Sequence, residues 1–114
     1  MCQAKNETNI NLKSTFKITK LNNNKIRKVI IKNGLGLHAR PAAMIAKITR
    51  NAESNVWIVD GNNRADASSV IDILTINGRK GKTLILEADS QNDIQLLDTL
   101  TDFFQSGFGE DTDD

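Results

Sequence analysis

The only proline of the chain, Pro41, stands three residues after its only histidine, His38, in the stretch Asn33-Gly34-Leu35-Gly36-Leu37-His38-Ala39-Arg40-Pro41-Ala42. A proline is tolerated in the first turn of a helix, where its missing N–H would have no helical partner, and is disruptive further in. Two glycines precede the histidine and an apolar-periodic segment follows the proline. A helix therefore begins at this point, with an imidazole at its N-terminus and the guanidinium of Arg40 two residues on. Pro41 also disfavours helical geometry at Arg40, so an irregular helix start is expected.

The rest of the chain divides around this landmark. Residues 1–24 are rich in Asn, Lys, Thr and Ser and read as a polar basic extension. Phe16 and Ile18 alternate with lysines there, and Asn22-Asn23-Asn24 reads as a linker. A first strand is expected over 27–32, with Val29 and Ile31 on one face. A loop over 33–37 leads to a helix over 39–51, whose Ala42, Ile45, Ala46 and Thr49 form one buried face. A strand over 55–59 follows, then the turn Asp60-Gly61-Asn62-Asn63 and a strand over 64–67. Ser68 or Ser69 caps a short helix over 70–76, ended by Asn77-Gly78. A strand over 83–88 precedes a last helix capped by Ser90, with Asp93 acting on its dipole. Ile94, Leu97, Leu100 and Phe104 make its buried stripe, aided by Leu96 and Phe103. Gly107 and Gly109 end it, and residues 109–114 read as a frayed acidic tail.

The order is βαββαβα. Its simplest packing is an α+β open-faced sandwich: a four-stranded antiparallel sheet with three helices on one face and Trp57 and Val59 on the other. The domain is expected over 25–108. A chain of 114 residues with four phenylalanines, one tryptophan and no tyrosine supports a single aliphatic core.

Charge is unevenly placed. Residues 1–32 carry eight Lys or Arg against Glu7, and residues 87–114 carry nine acids and no Lys or Arg. No aromatic-and-arginine platform accompanies the basic arm, so nucleic-acid binding is not expected. The single cysteine, Cys2, excludes an internal disulfide and suits a reducing compartment. No run has membrane-spanning length and no secretion signal is seen, so the chain is read as cytoplasmic.

The chemistry concentrates at the helix start. The first N–H groups of a helix lack internal partners and attract phosphate. Imidazole, as a group, is available as a neutral nucleophile near neutral pH. A cation in the first turn opposes the helix macrodipole, a local conflict of about 0.3–1 kcal/mol that often marks function. Arg40 suits bidentate pairing with a phosphoryl group. These are the parts of a site that accepts a phosphoryl group and hands it on.

The residues Gly36-Leu37-His38-Ala39-Arg40-Pro41-Ala42-Ala43, with the βαββαβα order and the spacing from histidine to serine, resemble HPr. HPr is the histidine-containing phosphocarrier of the bacterial phosphoenolpyruvate-dependent sugar phosphotransferase system. The resemblance spans about residues 26–106. It implies a monomeric phosphoprotein, not an enzyme, with no metal or cofactor. Enzyme I would phosphorylate Nδ1 of His38, and the group would pass to enzyme IIA domains. Arg40 would neutralise charge during transfer, and Gly36 and Pro41 would shape the turn. Val70, Ile71, Leu74 and Lys47 would dock partners, Ile71 foremost, with Arg50 joining Lys47 in electrostatic steering; Ile73 and Leu74 are also expected to contribute to the core. Ser69 stands where many relatives carry a serine controlled by an HPr kinase/phosphorylase, although Ser68 replaces the usual preceding basic residue and Asp72 adds negative charge. The alternative is a regulatory phosphoprotein that binds a kinase or transcription factor without supporting transport.

Overall fold

The computed structural model describes residues 23–110. Phe16, Ile18 and the greater part of the basic extension lie outside the described residues, as do residues 111–114. Four strands, β1 (Ile26–Ile30), β2 (Val56–Asp60), β3 (Asn63–Asp66) and β4 (Thr83–Ala88), and three α-helices, α1 (Ala39–Thr49), α2 (Val70–Ile73) and α3 (Ile94–Gln105), follow in the order βαββαβα. The sheet is antiparallel throughout and ordered β1-β4-β2-β3. The expected α+β open-faced sandwich is the fold observed.

Strand alternation sorts the two faces. Val29, Leu84, Leu86, Val56, Ile58 and Ala65 are buried beneath the helices, and α1 and α3 bury Ala42, Ile45, Ala46, Leu97, Leu100 and Phe104 against them. Register agrees with this pattern: Val29 faces Leu84 and Ile58 faces both Leu86 and Ala65. Trp57 and Val59 fall on the opposite face, as expected, yet are half-buried. The Arg64 guanidinium lies 3.8 Å from the Trp57 ring centroid, and Trp57 Nε1 donates to Asp89 at 3.2 Å.

Several boundaries differ from expectation, each through specific hydrogen bonds. Asn23–Lys25 form a 3-10 turn instead of a linker, held by Arg27, whose Nη1 donates to the Asn24 carbonyl at 2.9 Å while its Nε reaches Asp98 on α3 at 3.0 Å. α2 stops at Ile73, short of Ile76, because the Asp72 carbonyl receives both the Thr75 N–H and the Thr75 hydroxyl and the chain tightens into a turn. Ser90 caps a 3-10 turn over Gln91–Asp93, and α3 begins after it. Asp93 does not face the helix end. Its buried carboxylate accepts the N–H groups of Glu53 and Ser54 at 2.8 and 3.0 Å, closing the loop after α1. Ile94, expected in the buried stripe, is half-buried.

The C-terminal boundary differs most. Beyond α3 the chain makes a 3-10 turn over Gly107–Gly109 in which Phe108 adopts φ 60°, ψ 25°. A phenylalanine in left-handed geometry is strained. Its ring is fully buried, with centroids 4.9 Å from Phe104 and 5.2 Å from Phe103. Burial of an aromatic ring, of order 2–3 kcal/mol, exceeds a strain of about 1–2 kcal/mol. Glu110 is consequently carried back over the sandwich, and is not part of a frayed tail.

Candidate phosphoryl-acceptor site

His38 is the N-cap of α1, with extended backbone (φ −104°, ψ −169°) and no side-chain capping bond. Its carbonyl accepts the Ala42 N–H at 3.0 Å, which opens the helix. The imidazole is thus presented at the helix N-terminus without being spent on it. Arg40 is already helical and α1 runs unbroken through Pro41, so the expected irregularity at the residue before proline is absent. Pro41 is buried, fixing the first turn on the core.

The loop that aims His38 depends on two glycines from separate parts of the chain. Leu37 N–H donates to the Gly78 carbonyl at 2.7 Å. Gly36 has φ +69°, and a β-carbon there would collide with that same carbonyl. A β-carbon on Gly78 would in turn meet Leu37 Cβ at 2.7 Å. Gly36 is therefore required both for its backbone conformation and for close approach. Asn33 locks the loop from inside: fully buried, its Nδ2 donates to the Gly36 carbonyl at 2.9 Å.

Glu110 completes the site, and no motif in the sequence pointed to it. Its Oε2 lies 2.8 Å from His38 Nε2, 3.1 Å from Arg40 Nε and 2.5 Å from Arg40 Nη2. Its Oε1 accepts from Asn33 Nδ2 at 2.7 Å. Burial is the largest single influence on this carboxyl and pushes its pKa up. Hydrogen bonds from Asn33, Arg40 and His38, with the charge of His38, together outweigh burial and hold it below its ordinary 4.5. Asn33 Oδ1 is buried with no hydrogen-bond partner among the described residues. Leaving such a group unmade costs about 1–3 kcal/mol. An apolar residue at this position would avoid that cost but would lose both Nδ2 hydrogen bonds. The clue available in sequence was distance-blind: an acid just past two glycines looks like a tail unless Phe108 is known to be anchored.

The other expected residues divide between two surfaces. Ile71 is 79% exposed and Leu74 44% exposed. Ile73 and Leu74 were both expected to share in the core; Ile73 is fully buried there, whereas Leu74 is exposed. Val70 is half-buried against the core. Lys47 and Arg50 are exposed on α1. Leu35 and Met44, not singled out in sequence, are exposed apolar residues as well. Of the two candidate serines, Ser69 is the cap: its Oγ accepts the Asp72 N–H at 3.2 Å. Ser68 instead donates its hydroxyl to Asp66 at 2.7 Å, and the Asp72 carboxylate accepts the Asp66 N–H at 3.1 Å.

A small open-faced sandwich with a histidine at its first helix start, its ring not used as the helix cap, defines a class of phosphocarrier domains. The family model described as the PTS HPr component phosphorylation site matches residues 25–106. The chain belongs to the HPr family of phosphotransferase-system phosphocarriers, whose members carry phosphoryl groups and are not catalysts. It is similar to the phosphocarrier protein NPr of Proteus mirabilis, 35% identical over 86 residues that cover 75% of this chain and 96% of that one. It is similar also to the phosphocarrier protein HPr of Neisseria meningitidis serogroup A, 29% identical over 84 residues covering 74% and 94%. Among solved structures, HPr from Thermoanaerobacter tengcongensis matches with a TM-score of 0.71 and 31% identity over 76% of this chain and 98% of the other.

Proposed function

We propose that this phosphocarrier accepts its phosphoryl group from phosphoenolpyruvate-charged enzyme I on Nδ1 of His38 and passes it to enzyme IIA domains in the cytoplasm, in the service of sugar uptake. The observation that carries this reading is the meeting of His38 and Arg40 on one carboxylate at the start of α1. A guanidinium that reaches an anion beside the imidazole can also reach a phosphoryl group bonded to it. Exposed Ile71 and Leu74 on α2, with Lys47 on the neighbouring α1, supply an apolar and cationic surface for the donor and acceptor proteins. Gly36 and Pro41 act indirectly, by setting the loop and the first turn.

The geometry at Ser69 favours a plain helix cap over a site for an HPr kinase/phosphorylase. A phosphate on Oγ would stand in the same first turn as Asp72, whose like charge opposes it.

Incubation with phosphoenolpyruvate and enzyme I should place an acid-labile, base-stable phosphate on the chain, absent from His38→Ala. Label persisting in that variant would overturn the assignment. Onward transfer to an enzyme IIA separates a carrier from a purely regulatory phosphoprotein.

A further inference from the structure

We propose that the free edge of β1 is a docking site for residues 15–20 of this same chain, which pair with it as a fifth, antiparallel strand that sets Phe16 opposite Ile30 and Ile18 opposite Lys28. The sheet order β1-β4-β2-β3 leaves one side of β1 open. Ile31 N–H donates to the Lys82 carbonyl at 2.9 Å, in register with Val29 beside Leu84 and Arg27 beside Leu86. An antiparallel ladder bonds alternate residues to a given neighbour. Arg27, Val29 and Ile31 therefore turn their backbone groups toward β4, and Lys28 and Ile30 turn theirs to the open side. Among the described residues, those outward groups of Lys28 and Ile30 have no hydrogen-bond partner. An unpaired row of this kind is a template for another strand. The sheet face beside it is apolar: Ile26, Trp57, Val59 and Ile85 are half-buried there, and Ile30, on the edge itself, is 46% exposed.

The chain that leads into β1 supplies the occupant. Thr15-Phe16-Lys17-Ile18-Thr19-Lys20 has the two-residue alternation and the β-branched and aromatic content of a strand. Residues 21–25 connect it to β1, and Asn23–Lys25 within them are already a tight 3-10 turn. So short a connection allows an antiparallel neighbour and excludes a parallel one. Side-chain chemistry selects the register. With Phe16 opposite Ile30, Phe16 and Ile18 extend the apolar face and Lys17 falls on the helix side. A shift of one residue in either direction would carry Phe16 and Ile18 to the helix side and set Lys17 on the apolar face, against Lys28 or Ile30. The helix side of this edge is acidic: Asp98 on α3 pairs with Arg27 at 3.0 Å, and the exposed Asp102 stands one turn further along the same face. Lys17 meets opposite charge there. The added strand covers Ile30 and closes the edge to other chains.

Amide hydrogen exchange of the full chain tests the pairing. The Lys28 and Ile30 amides should exchange at least about tenfold more slowly than in an unstructured peptide, and nuclear Overhauser spectra should join the Phe16 ring to the Ile30 methyl groups. Ile18→Pro removes a donor that the added strand needs. It should return the Lys28 and Ile30 amides to the unstructured rate while Arg27 and Val29, bonded to β4, stay protected and verify that the sandwich is folded. Phe16→Ser keeps every backbone donor and should weaken the same protection in the same direction. Lys28 and Ile30 amides exchanging at the unstructured rate in the wild-type chain would overturn the proposal. Protection left unchanged by both variants would overturn it as well. Mixing isotope-labelled and unlabelled chains separates the occupants: a contact between Phe16 and Ile30 that arises only between different chains would overturn the intramolecular strand and assign the edge to a second copy.

Discussion

Phe108 packs edge-on against Phe104 with ring centroids 4.9 Å apart, and this contact brings Glu110 to the histidine. The pairing joins the last turn of α3 to a left-handed residue and reverses the chain just before the carboxylate is needed. Phe108→Ala should lower stability by about 3 kcal/mol through the cavity left beside Phe103 and Phe104. It should also release Glu110. Urea unfolding measures the first effect. Loss of coupling between Glu110 and the His38 ring in nuclear Overhauser spectra measures the second.

Gly36→Ala should be harmful beyond the loss of a flexible residue, because Gly36 is buried. The substitution combines a positive φ with a collision against the Gly78 carbonyl, so the loop must move and the Leu37 hydrogen bond to that carbonyl must lengthen. A loss of roughly 2 kcal/mol or more is expected, with slower phosphorylation because His38 is displaced. Gly61→Ala makes a fitting comparison. Gly61 also has positive φ, but nothing lies near its absent β-carbon, so the conformational cost acts alone. A stability loss in Gly36→Ala no larger than in Gly61→Ala would contradict the close-approach argument.

Ser69→Ala should cost about 1 kcal/mol in thermal or urea unfolding, the ordinary value of a serine cap. Phosphorylation of His38 by enzyme I should be unchanged. A large loss of His38 labelling in this variant would show that Ser69 does more than hold α2.

Glu110 supplies a pH dependence whose sign is determined. Its folded pKa is below the ordinary 4.5, so the unfolded state binds more protons across that interval and stability rises with pH. The contribution is present above the ordinary value and disappears as pH falls through the folded one. Comparing wild type with Glu110→Gln in urea melts should show an advantage for wild type near neutrality that shrinks below about pH 4.5. A difference independent of pH would point to packing.

The sequence was legible where physics is local. Val29, Val56 and Ile58 announced their inward faces by alternation, and Ala42, Ile45 and Ala46 by helical spacing, because these periods are backbone geometry. His38, Arg40 and Pro41 declared the helix start for the same reason. The misplaced expectations at Asp93 and Asn33 involve partners distant in the chain. Asp93 suited a helix start by spacing, but two N–H groups after α1 offered its carboxylate better bonds. Asn33 looked like a loop residue until Gly36 and Glu110 closed over its amide.

By itself, then, the sequence determined the βαββαβα order, the inward faces of its elements and the place of His38 at a helix start, since each follows from residues a few positions apart. Tertiary structure alone decided that Gly78 meets Gly36, that the Asp93 carboxylate closes the loop after α1, and that Glu110 faces the imidazole. The last is the clearest case. His38 and Glu110 are separated by 72 positions and joined at 2.8 Å; no local propensity encodes such a contact, which exists only because the sandwich has folded and Phe108 has found its place in the core.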